Sequence, residues 1–186
     1  AQEATRFLRD HRDEPFVLYV NFLEPHMPFT GPRDGQYDPD AIPLPPNFEN
    51  PPGPDSHLRA RANHLRWKKR YTDERQWREL RARYWGLCSE VDTHAGRILD
   101  TLDELGRADK TLVVFTSDHG DMMGSHQLVA KTVMYQEAVR VPMLVRLPGQ
   151  SAQRRVSGPV SQVDLVPTLL ELMGQDVPAD LEGQSL

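Results

Sequence analysis

Residues 111–131, TLVVFTSDHGDMMGSHQLVAK, combine an apolar run with a cluster of polar and charged residues. They open with the apolar run Leu112–Phe115, which is rich in β-branched residues and predicts a buried strand. The run turns polar at Ser117–Asp121, and His126 and Lys131 follow closely. Ligands of open α/β sheets bind outside the carboxyl ends of the strands. The stretch therefore predicts a strand that ends in a site for a metal ion and an anion.

The composition suits a soluble globular protein with one domain. The chain has 186 residues, of which 38% are hydrophobic and 26% are charged, and its formal net charge is −5. This charge argues against a surface that binds nucleic acid all over, and no apolar run is long enough to cross a bilayer. The single cysteine, Cys88, excludes an internal disulfide and a cysteine-based zinc cluster.

The first 55 residues predict a helix, a strand and a loop. The charged amphipathic segment Ala1–His11 is typical of a helix, and the aromatic and β-branched run Phe16–Phe22 predicts a buried strand. The polar end of that strand carries His26 between two prolines. Residues 38–55 contain seven prolines, which exclude a helix or a central strand. They form either a rigid surface loop or a wall of the substrate pocket.

Helix and strand patterns alternate in the rest of the chain. An apolar stripe at steps of three and four predicts a long helix over Asp73–Leu105. The later elements are a short helix over 132–139, a strand over 142–147, a short strand over 160–163 and a helix over 164–174 with Asp164 as its N-cap. This alternation predicts an α/β layered fold with a largely parallel central sheet flanked by helices.

Residues 57–83 are strongly basic, with three aromatic residues interleaved. Such a pattern occurs in nucleic-acid-binding proteins. No nucleic-acid motif accompanies it, so we interpret the run as a solvated helix face or a contact with an acidic neighbour. We expect no nucleic-acid partner.

Asp118 and His119 have the chemistry of metal ligands. Asp118 offers a hard oxygen suited to Ca²⁺, Mg²⁺ or Mn²⁺, whereas the His119 nitrogen suits Mn²⁺, Fe²⁺ or Zn²⁺ better. The alternative is structural, with Asp118 capping a turn and His119 packing beside it. One Asp and one His do not complete a metal site, so further ligands must come from elsewhere.

Other side chains are suited to an anionic ester. Lys131 can neutralise an oxyanion, or it is a surface lysine at the start of a helix. His26 can protonate a leaving group or donate to an oxyanion, or it orders the proline turn. His126 is open in the same way, and Asp121 is interpreted as a turn residue. These residues indicate a divalent-metal hydrolase that acts on an anionic ester.

Several longer segments carry a family pattern. They are PFVLYVNFLEPHMPF (15–29), SEVDTHAGRILDTLDELG (89–106), ADKTLVVFTSDHGDMMGSHQLVAKTVMYQEAVRVPMLVRLPG (108–149), VSQVDLVPTLLELMG (160–174) and LEGQSL (181–186). Together they resemble the sulfatase family of the alkaline phosphatase superfamily. The resemblance covers most of the chain and follows the order of the family.

The resemblance implies an alkaline-phosphatase-like fold and roles for four residues. Asp118 and His119 match the family's second pair of metal ligands. Lys131 matches the lysine that contacts the sulfate and the leaving oxygen, and His26 matches the histidine that faces the substrate and assists the leaving group. Many sulfatases have Asn and Ca²⁺ where His119 stands, but His occurs in a subset of them and in related phosphonate monoester hydrolases. The resemblance therefore implies Ca²⁺, with Mn²⁺ or another transition metal as the alternative.

One part of the family pattern is absent. The family's nucleophile is a formylglycine made from Cys or Ser in a Cys/Ser-x-Pro-x-Arg motif, and this sequence has no such motif. The first acidic pair of metal ligands is missing as well. We therefore expect residues 1–186 to be the central and later part of a sulfatase catalytic domain, incomplete at the N-terminus and inactive by itself. The formylglycine is expected in the missing upstream segment.

The activity that the resemblance implies is metal-dependent hydrolysis of sulfate esters of a small molecule or carbohydrate. The alternatives are a phosphonate or phosphate monoester or diester hydrolase of the same superfamily, and a catalytically dead binding domain. No signal peptide is visible, and a chain that begins within a fold leaves periplasmic, secreted and cytoplasmic locations open. The oligomeric state is open too.

Overall fold

The computed structural model describes all 186 residues, which form two compact units, Ala1–Gly149 and Gln150–Leu186. The first unit contains α1 (Gln2–Asp10), α2 (Leu58–Lys68), α3 (Glu74–Glu104), β1 (Val113–Thr116), α4 (Gln136–Val139) and β2 (Met143–Arg146). Short 3-10 turns lie at Pro39–Ala41, Ala108–Lys110 and Ser125–Gln127. The second unit contains a 3-10 turn at Gln162–Asp164 and the helix α5 (Leu165–Leu172). None of the helices combines the length and the apolar character that a membrane crossing requires.

The long helix α3 forms where the sequence predicts it. Asp73 is its N-cap, and the Asp73 carboxylate accepts a hydrogen bond of 3.0 Å from the backbone N–H of Gln76. The helix runs for 31 residues to its C-cap at Leu105. Gly106 then takes a φ of +63°, a left-handed conformation that ends the helix without a Cβ clash. The helix α1 packs against α3 through its buried residues Ala4 and Leu8.

Two clusters of buried side chains form the core of the first unit. One combines aromatic and aliphatic residues of α2 and α3 with Met123 and Val129. The other includes Met122 and Leu128. Leu128 and Val129 have no solvent exposure. Because both clusters include residues of 121–131, the core fixes the loop that follows the candidate metal ligands.

The strands β1 and β2 pair in antiparallel orientation, with Val113 opposite Arg146 and Thr116 opposite Met143. The predicted parallel arrangement is not found between them. A parallel pair needs a crossover that returns the chain to the starting edge of the first strand, usually through a helix of several turns. Here the connection contains only irregular turns and the four-residue helix α4.

The prediction of a strand over Phe16–Phe22 is wrong, because this segment pairs with no other strand. Its side chains do alternate in the manner of extended backbone, with Phe16 and Leu18 half-buried and Val17 and Tyr19 exposed by 82% and 88%. The short strand predicted at 160–163 is also wrong, since Gln162–Asp164 forms a 3-10 turn. The hydrophobic pattern of Phe16–Phe22 correctly indicated extended backbone, whereas a strand also requires a hydrogen-bonded partner.

Two helix predictions need adjustment. The helix predicted over 132–139 begins only at Gln136, because Thr132 has a φ of +82°, which a right-handed helix does not allow. Asp164 occupies the N-cap position of α5, as predicted, but its side chain does not cap that helix. Its carboxylate instead accepts hydrogen bonds from the backbone N–H groups of Ser161 (2.9 Å) and Gln184 (3.0 Å).

Candidate functional site

Asp118 and His119 lie directly after β1, where the chain leaves the sheet. The Asp118 side chain is 83% exposed and the His119 side chain 36%. The backbone N–H of His119 donates to Asp118 Oδ1 at 2.9 Å, and Ser117 Oγ donates to the His119 carbonyl oxygen at 2.8 Å. Asp118 Oδ2 and His119 Nε2 are 3.4 Å apart. The turn therefore places the carboxylate and the imidazole side by side.

The hydrogen bonding of His119 assigns its tautomer. Nδ1 lies 2.9 Å from the carbonyl oxygen of Gly120, which can only accept, so Nδ1 carries the proton of the neutral ring. Nε2 then presents a lone pair beside Asp118 Oδ2. An oxygen and a nitrogen 3.4 Å apart are spaced so that both can bind one divalent ion. No group of three or more metal-ligating side chains assembles in this chain, so the pair forms only part of such a site.

Asp121 closes the loop that connects this pair to Lys131. Its half-buried Oδ1 accepts hydrogen bonds from the backbone N–H groups of Met123 (3.2 Å) and Ala130 (2.8 Å). Burial raises the pKa of Asp121, although these hydrogen bonds and the nearby charges of Lys131 and His119 act in the opposite direction. The sequence reading of Asp121 as a turn residue missed the nine-residue span that it closes.

Lys131 follows this closure directly and is half-buried. It forms no salt bridge, although it lies close enough to Asp121 to influence the titration of that carboxyl group. A partly desolvated ammonium group without a bound carboxylate remains available to an anion. This environment is compatible with the role predicted for Lys131.

The loop between Met123 and Thr132 has an unusual backbone. Left-handed φ angles at residues other than glycine cost about 1–3 kcal/mol each and persist only where surrounding contacts enforce them. Five such residues occur here: Met123, His126, Gln127, Ala130 and Thr132. One enforcing contact comes from α3, where Arg81 Nη1 donates to the Met123 carbonyl oxygen at 2.7 Å. The loop is therefore held in a conformation that its own sequence does not favour.

His126 joins this loop to the proline-rich segment. Its Nδ1 donates to the Asn50 carbonyl oxygen at 2.7 Å, and its Nε2 accepts from Asn47 Nδ2 at 3.0 Å. Asn47 Nδ2 also donates to Glu137 Oε1 at 2.7 Å, and the His126 ring packs on Tyr135 with a centroid distance of 4.5 Å. We call His126, Asn47, Asn50 and Glu137 the latch. Both nitrogens of His126 are engaged in it, so His126 orders the loop and has no free lone pair for a metal.

The latch also sets the charge state of Glu137. Burial alone would raise the pKa of Glu137, but hydrogen bonds from Asn47 and Ser125 and the nearby His126 hold it below its ordinary value. The carboxylate is therefore ionised at neutral pH. An ionised acceptor makes the hydrogen bond from Asn47 stronger than one between neutral groups.

His26 lies apart from these residues in the described contacts. It is exposed in a tight turn, where its backbone N–H donates to the Leu23 carbonyl oxygen and its Nδ1 donates to the Met27 carbonyl oxygen at 2.7 Å. No hydrogen bond, ion pair or ring contact joins it to Asp118, His119 or Lys131. The structure thus brings Asp118 and His119 together and links Lys131 to them through Asp121, but it does not bring His26 into contact with them.

Tyr84 of α3 connects the segment that contains His26 with the loop that contains Asp121. Its ring packs edge-to-face on Phe29, which follows the His26 turn, with a centroid distance of 5.9 Å. Burial, with smaller contributions from Cys88 and Asp121, raises the pKa of Tyr84, so its hydroxyl stays protonated at neutral pH. Sequence patterns missed Tyr84 because it belongs to the apolar stripe of α3. They missed Asn47 too, although a polar residue between Pro46 and Phe48 was a weak signal for it.

Comparisons with known proteins support the family resemblance of the sequence motifs. The family model described as Sulfatase matches residues 1–175. The multifunctional alkaline phosphatase superfamily protein PehA of Trinickia caryophylli is 32% identical over 201 residues, covering 100% of this chain and 39% of that protein. Arylsulfatase K of Bos taurus is 33% identical over 192 residues, covering 93% of this chain and 34% of that protein.

A solved structure supports the same superfamily. The phosphonate monoester hydrolase of Agrobacterium radiobacter superposes with a TM-score of 0.82 at 33% identity, covering 100% of this chain and 40% of that chain. This chain therefore spans 34–40% of the lengths of the three proteins. The superposition shows that its mixed helix and sheet follow the alkaline-phosphatase-like fold. With the family model matching nearly the whole length, the chain belongs to the sulfatase family of the alkaline phosphatase superfamily.

Proposed function

We propose that residues 1–186 supply one wall of the active site of a metal-dependent sulfate ester hydrolase. The observation that carries this proposal is the pair of lone-pair atoms, Asp118 Oδ2 and His119 Nε2, 3.4 Å apart. Sulfatases generally use a metal ion and a formylglycine. The pair offers one carboxylate oxygen and one imidazole nitrogen to such an ion. Ca²⁺ is the proposed metal, with Mn²⁺ or another transition metal as the alternative because of the softer nitrogen ligand.

Each residue has a distinct task in this proposal. Asp118 and His119 hold the ion, which when bound supplies positive charge at the oxygens of the sulfate group. The Lys131 ammonium group neutralises charge on the sulfate and on the leaving oxygen. His26 keeps its Nδ1 proton on the Met27 carbonyl, so its exposed Nε2 is the atom that exchanges a proton with the leaving group. Asp121 and the latch hold the loop that positions Lys131.

The remaining parts of the proposed site lie outside these residues. We propose that residues 1–186 are the central and later part of a catalytic domain, with a largely parallel central sheet in the whole protein. The formylglycine and the first acidic pair of metal ligands would come from other parts of that protein. The substrate is proposed to be a sulfate ester of a small molecule or carbohydrate. Residues 1–186 alone are expected to be inactive.

A second candidate function is hydrolysis of phosphonate or phosphate esters. The superposition on a phosphonate monoester hydrolase at 33% identity favours it, as does the histidine at position 119. The same residues serve both activities, because sulfate and phosphonate esters present similar tetrahedral oxyanions. Substrate profiling of the full-length protein separates the two.

The test is turnover of 4-nitrophenyl sulfate and 4-nitrophenyl phenylphosphonate by the full-length protein, after chelation and with Ca²⁺ or Mn²⁺ restored. Lys131→Ala is expected to lower kcat by on the order of 10²-fold, the usual effect of losing one oxyanion donor. His119→Asn is expected to shift the preferred metal towards Ca²⁺. His11→Asn, which changes the half-buried histidine at the C-cap of α1, is the matched control. Undiminished turnover by Asp118→Ala and His119→Ala variants would overturn the proposal, and absent turnover by the wild type would indicate a binding domain.

A further inference from the structure

A groove of about 500 Å³ lies next to the His26 turn. Its volume falls in the range of small-molecule binding sites. Residues of the turn, the end of α2 and the first half of α3 line it, including Met27, Phe29, Arg70, Tyr71 and Arg83. His26 directly precedes Met27, which lines the groove. Because consecutive Cα atoms are about 3.8 Å apart, a ligand that contacts His26 is within reach of the groove.

Arg70 is held at this groove by aromatic rings. Its guanidinium carbon lies 5.7 Å from the centroid of the Trp67 ring and 5.9 Å from that of Tyr71. The two rings are nearly parallel, with an interplanar angle of 14°, and the buried Trp67 is only 5% exposed. Cation–π contacts at these distances leave the guanidinium N–H groups free for a planar, two-pronged contact with an oxyanion. The exposed Arg70 guanidinium is therefore available to an oxyanion at the groove.

The charge at the groove is positive. The acidic side chain that lines it, Glu79, is already paired with Arg75 at 3.2 Å. Arg70 and Arg83 form no ion pair with the protein. An apolar groove with two unpaired arginines complements a ligand that has an apolar body and a negatively charged group.

We propose that this groove binds a second oxyanion of the substrate, separate from the ester that is hydrolysed, with Arg70 as its main contact. The apolar part of the substrate packs on Phe29 and Tyr71. The substrate is therefore a compound with at least two anionic groups. This inference rests on the proposed function, because it takes His26 as a residue that faces the substrate.

The test uses the full-length protein and matched disaccharides that carry one sulfate, two sulfates, or one sulfate and one carboxylate. The ratio of KM values for the monosulfated and doubly charged substrates measures the preference for a second anion. Arg70→Ala is expected to lower that preference about tenfold, equivalent to about 1.4 kcal/mol, mainly through KM. Arg70→Lys keeps the positive charge but loses the paired N–H donors of the guanidinium, so it should retain the preference only in part. Lys69→Ala, which changes a neighbouring exposed cation outside the groove, is the control and should keep the preference.

A binding measurement separates this inference from the proposed function. Calorimetric titration with naphthalene-1,5-disulfonate, which is not hydrolysed, reports on the groove without turnover. Binding that weakens in Arg70→Ala supports the inference even if no ester is turned over, in which case only the proposed reaction fails. Turnover with no preference for a second anion overturns the inference. Arg70-dependent binding of a 20-nucleotide single strand without binding of the disulfonate also overturns it and assigns the basic run to nucleic acid.

Discussion

Two adjacent residues allow the contribution of the latch to the free energy of unfolding to be separated from the cost of the strained backbone. His126 and Gln127 both have a φ of +54°, but only His126 has side-chain hydrogen bonds. Replacing either residue by glycine relieves a left-handed conformation worth about 1–2 kcal/mol. Either change also adds backbone entropy to the unfolded chain, worth about 0.5–1 kcal/mol. These effects are common to both variants and cancel in the difference.

The difference in stability between the two variants therefore measures the contacts of the His126 side chain. His126→Gly loses two hydrogen bonds, at about 1 kcal/mol each, and the ring contact with Tyr135, at about 0.5–1.5 kcal/mol. We therefore expect His126→Gly to be about 3 kcal/mol less stable than Gln127→Gly. Gln127→Gly itself should lie within about 1 kcal/mol of the wild type.

Urea unfolding followed by tryptophan fluorescence measures this difference, since Trp77 lies beside the loop at Gly124. Hydrogen exchange at the Ala130 amide gives a local readout, because Asp121 accepts that N–H only while the loop is closed. Equal stabilities for the two glycine variants, within about 0.5 kcal/mol, would refute the reasoning. That result would mean that the core residues Leu128 and Val129 alone hold the loop.

Three further changes test the packing and the electrostatics. Gly86 and Gly96 both lie within α3, but a Cβ at Gly86 would lie 2.6 Å from the Arg33 carbonyl oxygen, whereas nothing lies within 4 Å at Gly96. Gly96→Ala should stabilise the protein by about 1 kcal/mol and Gly86→Ala should destabilise it by about 1–3 kcal/mol in thermal unfolding, and stabilisation by both would contradict the packing. Two backbone N–H groups hold the pKa of Asp164 below its ordinary value, so its contribution to stability is complete above a pH of about 4 and is lost as the pH falls through the depressed folded-state pKa. NMR titration of the second unit should show that low value, and Asp164→Asn should remove this acid dependence; an ordinary value would rule it out. Asp121→Ala leaves two loop N–H groups without their acceptor and should destabilise the first unit by about 2–4 kcal/mol in urea, whereas a loss below about 0.5 kcal/mol would show that the loop closes without it.

The elements that the sequence predicted well carry their signals locally. The ends of α3 were located to within a residue because Asp73 and Gly106 mark them and the apolar stripe between them is continuous. Asp118 and His119 are adjacent in sequence, so a single turn is enough to bring them together. Family membership was also evident from the motifs alone.

The features that were missed depend on contacts between distant parts of the chain. Asn47 and His126 are 79 residues apart, and no local pattern indicates their hydrogen bond. The left-handed residues of the loop are ordinary in sequence and are held by Asp121 and Arg81. The strand predicted over Phe16–Phe22 failed for a related reason, since its pairing depends on a neighbour that its own residues do not specify.

That unpaired segment has a practical consequence for the isolated protein of residues 1–186. Extended backbone with free hydrogen-bonding groups and exposed apolar side chains is a template for strand addition by another molecule. Val17 and Tyr19 are 82% and 88% exposed along it, and Leu23, directly after it, is 73% exposed. Preparations of this polypeptide should therefore self-associate as the concentration rises. The substitution Val17→Lys should delay that aggregation, because a charge on an open strand edge discourages pairing.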